Sequence, residues 1–451
     1  MFQNLNIKNS FKIQNSKFKI GNSKLEIKNM LYKKTTLKNG LRVLTIPVKG
    51  TQTATVMLMV GVGSRYESEK QAGLSHFIEH MFFKGTKNRP TAQSISEELD
   101  AIGGEFNAFT AKDKTAYYAK VDSRHINKAV DVICDIFLNS KLEQVEIDRE
   151  RGPILQELSM YEDEPRRSVG DEFEKILYGD QSLGRGIVGY KKTISDFKRK
   201  DFISYIKKHY NANETVVCVA GKFNENEIIT QLQKHFAVFQ AGKKIPLKKV
   251  VEKQTSPAIR IKLKKTEQTH FILGVRGYKQ DHKDRYVLAL LSIILGGNMS
   301  SRLFIEIRER RGLAYFVHTS VDTYQDCGYI ATQAGVEHGK IEQAVDAILF
   351  EYKKIATEYV SEKELQKAKD YVKGRAVMGL EASDDVAMFF IDQEMHKEKI
   401  ITPKEVFALV DAVTVDDILR VSKDIFTNSK LNLAVVGPHK SDKKFEKILK
   451  F

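Results

Sequence analysis

His76 and His80 lie four positions apart, with Glu79 between them, in a stretch of helical periodicity. At about 3.6 residues per turn the two imidazoles share one helix face and Glu79 stands beside them. Two neutral imidazoles at that spacing can hold one Zn²⁺, and the adjacent carboxylate can take a proton from water at the metal. The order, H-x-x-E-H, is the reverse of H-E-x-x-H. Three fixed residues make a short signature, so this chemistry needs a further ligand from a distant element. Glu157 is best placed, 77 residues after His80 (157 − 80) on a stretch read as a helix over 143–162. Glu150 precedes it by two turns on the same face, about 10 Å away along the axis. One carboxylate can bind metal while the other lies outside the ligand set. Taken without the histidines, Glu146, Arg149, Glu150 and Arg151 describe an exposed helix with ordinary surface pairs. With them, the metal reading prevails. Pro153 sits between the two glutamates, where it deletes a backbone donor and is expected to kink the helix, making the direction of Glu150 less secure than that of Glu157.

These side chains need a framework, and the chain alternates strand and helix patterns. Asn39-Gly40, within 36–47, has the turn chemistry of a two-residue hairpin. Residues 53–62 read as a strand and 68–83 and 91–102 as helices, the second stopped by Gly103-Gly104. A strand pair follows at 105–111 and 115–121, then helices at 123–139, 143–162 and 195–210, then the apolar strand 215–220. The order recurs from about Ile259 at an offset of roughly 210–220 positions: 270–275 echoes 55–61, 314–323 echoes 105–111, and 341–358 echoes 123–139. The expected fold is α+β: two homologous α/β-roll lobes from an internal duplication, each a mostly antiparallel sheet packed with helices. The lobes span 30–240 and 258–451, joined by a Lys-rich linker over 241–257 that carries Pro246 and Pro257. Residues 1–29 repeat a theme rich in Asn, Lys and Ile and read as a low-complexity tail, with Met30 a candidate start. The second lobe lacks the metal residues. Its 287–295 stretch is apolar where histidines would fall, and an offset of 218 puts Ala368 and Arg375 opposite Glu150 and Glu157 (368 − 150 and 375 − 157).

Composition excludes several classes. The 451 residues carry 73 Lys+Arg against 58 Asp+Glu, a formal charge of +15, and 42% are hydrophobic, as in a soluble globular chain long enough for two cores. The lysines are spread along the chain with no basic run interleaved with aromatics, so a solvated surface is expected and not a nucleic-acid groove. The longest strongly apolar stretch, 287–295, falls far short of a membrane span of ~20 residues. Cys134, Cys218 and Cys327 are scattered and odd in number, fitting buried thiols in a reducing compartment, with cytoplasm the default. Gly184–Gly189 spells G-x-G-x-x-G but follows no strand and lacks an acidic partner about 20 residues on, so no dinucleotide site is expected.

From about Met30 to its end the chain resembles the pitrilysin and mitochondrial processing peptidase family of inverted-motif zinc metallopeptidases, in its short two-lobe branch. The resemblance rests on His76-Phe-Ile-Glu79-His80 with the following Met81-Phe-Phe-Lys-Gly-Thr86, on Gly103-Gly-Glu-Phe-Asn107-Ala-Phe-Thr110, on the later helix with Glu150 and Glu157, and on Arg308-Glu-Arg-Arg-Gly-Leu-Ala-Tyr315. It implies that His76, His80 and Glu157 ligate one Zn²⁺ per chain, that Glu79 is the general base and proton shuttle, and that Glu150 supports the site. It also implies an edge strand, with Asn107 and Ala108 at its centre, to which an extended peptide adds by backbone pairing. Arg308 and Tyr315 match a pair that contacts the substrate and the developing oxyanion, supplied by the partner subunit of a homodimer or by a related chain. The activity implied is endopeptidase cleavage of short unstructured peptides in an enclosed chamber. The alternative is a catalytically silent scaffold or assembly subunit of the same fold.

Overall fold

The first lobe runs β1 (Lys33–Thr36), β2 (Arg42–Pro47), β3 (Thr53–Val60), α1 (Leu74–Phe82), α2 (Ala92–Asp100), β4 (Glu105–Thr110), β5 (Thr115–Asp122), α3 (Ile126–Asn139), α4 (Gln144–Asp163), α5 (Pro165–Tyr178), α6 (Lys191–Asp196), α7 (Arg199–His209), β6 (Thr215–Gly221) and α8 (Glu225–His235). The second runs β7 (Ala258–Leu263), β8 (Thr269–Arg276), α9 (Arg285–Gly296), β9 (Ala314–Thr323), β10 (Gly328–Val336), α10 (Ile341–Thr357), α11 (Glu362–Gly379), α12 (Ser383–Met395), α13 (Pro403–Asp411), α14 (Val415–Ile425), β11 (Leu431–Gly437) and α15 (Lys443–Ile448). The computed structural model describes residues 31–396 and 399–451, so the tail read at 1–29 and the start at Met30 lie outside the described residues.

Sheet one has the order β1-β2-β6-β3-β5-β4 and sheet two β7-β11-β8-β10-β9. The β2–β6 and β7–β11 pairs are parallel and the remaining neighbours antiparallel. The two sheets are copies in register: the Thr55–Ala220 pair is repeated by His270–Val436 (270 − 55 = 215 and 436 − 220 = 216), and Ala54–Val121 by Thr269–Val336 (269 − 54 and 336 − 121, both 215). The duplication read from the pattern is thus a duplication of topology.

Side-chain alternation shows how the lobes are joined. In β3, Val56, Leu58 and Val60 enter the main core of lobe one beneath its own helices, while Met57 and Met59 point to the opposite face. That second face is covered by α12, whose Val386, Ala387, Phe390 and Ile391 pack on Met57, Met59, Cys218 and Ala220. The reciprocal holds in sheet two, where Val169, Phe173 and Leu177 of α5 pack on Ile272, Ala434 and Val436. Each lobe therefore lends one helix to the other's sheet, and strands buried on both faces read as continuous apolar runs. Polar contacts follow the exchange: Arg42 Nη1 donates to Glu394 Oε1 (3.1 Å), the hydroxyls of Thr55 and Ser383 meet at 2.8 Å, and Arg65 Nη2 donates to Asp326 (2.9 Å).

Local departures from the sequence reading have identifiable causes. The first hairpin closes over Leu37–Leu41 and not over two residues, because the Leu37 amide donates to the Leu41 carbonyl and Asn39 Oδ1 accepts the Leu41 amide. The helix expected over 68–83 starts only at Leu74. Ser68 and Gln71 close a separate turn, and Gly73 (φ +95°) lies so near the Val188 carbonyl that an added Cβ would stand 2.3 Å from its oxygen. The glycines at 184–189 have the same packing role at Gly189, where an added Cβ would meet the Ala72 carbonyl oxygen at 2.2 Å. The stretch expected as one helix over 195–210 divides into α6 and α7. Helix α5, which the pattern reading missed, follows α4 after a single residue, with Pro165 at its first turn where a missing N–H costs nothing. Helix α4 itself runs unbroken through Pro153.

Candidate metal centre and catalytic site

Helix α1 is short and amphipathic, burying Leu74, Phe77, Ile78, Met81 and Phe82 in the core and turning His80 and Glu79 outward. Its start is fixed by Glu67, a fully buried carboxylate that accepts the amides of Gly73 (2.8 Å) and Ser75 (2.7 Å). Burial pushes Glu67 up to about 8 even though both amides favour its charge. Helix α4 crosses α1 and places Glu150 and Glu157 against it, anchored by buried Ile147, Ile154 and Leu158.

The ring centroids of His76 and His80 are 4.6 Å apart. Glu157 Oε2 lies 3.6 Å from His76 Nε2 and 3.5 Å from His80 Nε2. Those separations exceed a charge-assisted hydrogen bond, ~2.7–2.9 Å. They match the ~3.4 Å edge of a tetrahedron with metal–ligand bonds of ~2.0–2.1 Å. Two imidazole nitrogens and one carboxylate oxygen, all within 4.8 Å of one another, form a donor set suited to Zn²⁺. His80 Nδ1 meets Glu150 Oε1 at 2.9 Å, and Lys84 Nζ holds the other Glu150 oxygen at 2.6 Å. Glu150 thus orients the ring whose Nε2 faces Glu157, the usual second partner of a ligating histidine. The kink expected at Pro153 does not disturb this: both glutamates face α1.

The electrostatics agree with a cation at this point. Burial works to raise Glu157, but the His76 and His80 imidazoles and the Tyr161 hydroxyl hold it well below the usual carboxylate range. Burial likewise works to lower His80, yet its bond to Glu150 and the nearby negative charge of Glu157 bring it up to about 9. Glu150 is lowered by His80 and Lys84 against the effect of burial. Glu79 goes the other way: burial raises it, although the Thr110 hydroxyl donates to its Oε2 at 2.5 Å.

His76, Glu79, His80 and Glu157 open into a cavity of about 1040 Å³ lined by both lobes, with Lys262, Asp322, Tyr324 and Tyr329 contributed by the second. Asn107 and Ala108 line it too, on β4, the outermost strand of sheet one. They pair with Tyr118 and Tyr117 on one side only, and Asn107 Oδ1 accepts the Ala108 amide at 2.8 Å. Arg308 and Tyr315 are brought to each other but not to this cavity. The Arg308 guanidinium lies 4.6 Å from the Tyr315 ring centroid and 4.9 Å from that of Phe304, and Tyr315 is 79% exposed. Arg308 belongs to a π-helical turn, Phe304–Arg310. Ala368 is buried and Arg375 exposed on α11.

Four supporting residues escaped the sequence reading. Tyr161 is one turn beyond Glu157 on the same helix face and could have been found from that spacing. Thr110 closes the quoted β4 motif, two residues after Ala108 on the face turned to α1. Lys84 and Glu67 carry no local signal, since their roles depend on a helix 70 residues away and on a cap formed across a loop.

Comparison with known proteins places these residues in a wider set. Residues 42–191 match the family model described as insulinase (peptidase family M16), and 196–372 match the peptidase M16 inactive domain. A Rickettsia felis protein named uncharacterized zinc protease is 38% identical over 412 residues, 89% of this chain and 97% of its own. The Bacillus subtilis uncharacterized zinc protease YmxG is 34% identical over 409 residues, 90% and 98% of the two chains. Among solved structures, a protease from Helicobacter pylori matches with a TM-score of 0.85 at 24% identity, covering 91% of this chain and all of that one.

Proposed function

This chain belongs to peptidase family M16, the insulinase family, and from that premise we propose that it is a zinc-dependent endopeptidase cleaving short, unstructured peptides in the chamber between its lobes. The observation that carries this reading is the position of Glu157 Oε2, 3.5–3.6 Å from two imidazole nitrogens, at metal-ligand and not hydrogen-bond separation. One Zn²⁺ held by His76, His80 and Glu157 supplies Lewis acidity and brings the pKa of water toward ~7. Glu79 is the group to receive the proton of the attacking water and return it to the departing amine. Burial raises its pKa, which makes it a better proton acceptor than an ordinary carboxylate, and Thr110 pins one oxygen so that the other is free to accept. Glu150 fixes the His80 tautomer by accepting Nδ1–H, leaving the Nε2 lone pair for metal.

Substrate backbone pairs along the free edge of β4 at Asn107 and Ala108, where an incoming carbonyl takes over the Ala108 amide from Asn107 Oδ1. Backbone pairing tolerates many side chains, and a chamber of this size selects for short unfolded segments. Arg308, half-buried, and Tyr315, exposed, both outside their own chain's chamber, serve the site of a second copy or a related subunit. Three free, buried cysteines fit a reducing cytoplasm, and among the described residues no helix is long and apolar enough to cross a membrane.

The test is metal analysis of the natively expressed chain together with cleavage of an unstructured fluorogenic peptide. About one zinc per chain and cleavage abolished by chelator and restored by Zn²⁺ are expected. No metal and no cleavage would leave the silent scaffold as the reading.

A further inference from the structure

The lobes meet hairpin tip to hairpin tip. In lobe one the turn between β4 and β5 is 111–114, closed by the Ala111 amide donating to the Lys114 carbonyl at 2.8 Å. In lobe two the turn between β9 and β10 is 324–327, closed in the same way by the Tyr324 amide and the Cys327 carbonyl at 2.8 Å. The third residue of each turn is an aspartate, Asp113 in one and Asp326 in the other.

Both aspartates grip one guanidinium. Arg65 Nη1 donates to Asp113 Oδ1 (3.1 Å), and Nη2 donates to both oxygens of Asp326 (2.9 and 3.1 Å). The three side chains are 0%, 8% and 11% exposed, in the order Arg65, Asp113, Asp326. The other Asp113 oxygen accepts the Gln325 amide of lobe two (3.3 Å), and Asp326 Oδ2 accepts the Val250 amide of the linker (2.7 Å). Backbone bonds tie the same pieces together, since the Ser64 and Arg65 amides donate to the Ala111 and Lys112 carbonyls (3.1 and 3.0 Å). Neither aspartate lines the chamber.

A buried charge that loses one partner is left uncompensated, so a guanidinium shared between two lobes resists their separation at this point. The turn it holds is short, and Thr110, paired with Thr115, directly precedes it. Thr110 is the residue whose hydroxyl lies 2.5 Å from Glu79 Oε2. We propose that Asp326, in the lobe without metal residues, is a positioning residue for the reaction of the other lobe: through Arg65 and Asp113 it fixes the turn that sets Thr110 against Glu79. The proposal rests on the reading of Glu79 as the base of a zinc peptidase, and it makes cleavage depend on contact between the lobes at this joint.

Asp326→Asn keeps the shape of the side chain and removes its charge. In the full chain, amide exchange over 105–115, followed by mass spectrometry, should quicken about tenfold while exchange over β2 stays as in the parent. Peptide kcat should fall about tenfold with KM within about twofold and zinc content still about one per chain. In a Thr110→Val background the same substitution should lower kcat by less than about twofold, because the contact it acts through is already gone. If Asp326→Asn melts near the assay temperature, Asp113→Asn, which weakens the same joint from the other turn, carries the cycle. Parent-like exchange over 105–115, a parent-like kcat, or effects of the two substitutions that simply multiply would each overturn the proposal. A parent chain without zinc or cleavage counts against the peptidase reading instead, and the exchange comparison then decides by itself whether Asp326 holds the turn.

Discussion

The two lobes share strand order and pairing register, yet the helix beside the edge strand is built oppositely in each. Helix α9 buries Leu288, Leu291 and Leu295 and lies tight on β9, where a Cβ added to Gly296 would meet Thr319 Oγ1 at 2.2 Å. Helix α1 leaves room against β4, and there a threonine, Thr110, meets the carboxylate of Glu79. Opposite α9, Ala368 is one of the buried residues of the core; opposite α1, α4 presents Glu150 and Glu157. One copy of the scaffold is thus filled with apolar side chains, and the other sets acids and imidazoles in the wall of the chamber. Buried polar groups are tolerated only with partners, which is why the first lobe also carries Glu67, Lys84, Thr110 and Tyr161. The lesson is that duplication conserved the frame, while the polar network of one copy and the dense packing of the other decide what each can do.

The largest expected effect is at the base. Glu79→Gln should lower peptide turnover ~10²–10⁴-fold while zinc content stays at about one per chain. Turnover equal to the parent would erase the chemical distinction between the lobes. Next comes the helix exchange. Phe390→Ala removes a fully buried ring that α12 places on sheet one, and Phe173→Ala removes its counterpart from α5 on sheet two. Each should cost ~3–5 kcal/mol in denaturant unfolding. Both should shift one shared transition, because each lobe is closed by the other, whereas separate melting of the halves would show the lobes to be independent. A smaller change is expected for Glu150→Gln, which leaves the three ligands but loosens His80: zinc affinity, read by competition with a metal-buffering chelator, should fall ~10–100-fold. An unchanged affinity would reduce Glu150 to a partner of Lys84 without a role in holding metal.

The subtlest outcome concerns Glu67. Its folded pKa is raised, from 4.5 to about 8, so the native state binds the proton more tightly than the unfolded chain. That contribution is complete below about pH 4.5 and is lost as pH rises toward 8. Over that interval the parent should lose stability with pH more steeply than Glu67→Gln, as measured by urea midpoints at a series of pH values. Parallel curves would remove Glu67 as a titrating cap of α1.

Much of this was legible in residue types and spacing. The i, i+4 histidines with Glu79 between them need only helical periodicity, and the repeat of strand patterns at an offset of roughly 210–220 residues needs only alternation. What spacing could not convey was contact between distant elements. The kink anticipated at Pro153 did not displace Glu150, because α4 is clamped by Ile147, Ile154 and Leu158 on both sides of the proline. Helix α5 was missed since its apolar residues, Val169, Phe173 and Leu177, serve the other lobe. The continuous apolar runs of β3 and β6 are those of strands buried on both faces, a burial the sequence reading did not draw, and no such run tells which segment covers the second face.

The amino-acid order by itself determined the metal-capable helix, the candidate carboxylates and the duplicated α+β plan, because these rest on local periodicity and on side-chain chemistry. Tertiary structure alone decided that Glu157 stands at ligand distance from two imidazoles, that Glu150 turns to the second ring nitrogen, and that Arg308 and Tyr315 lie outside their own chamber. It also decided the exchange of α5 and α12. Such matters depend on how distant segments pack, a cooperative outcome of burial that no short window of sequence contains.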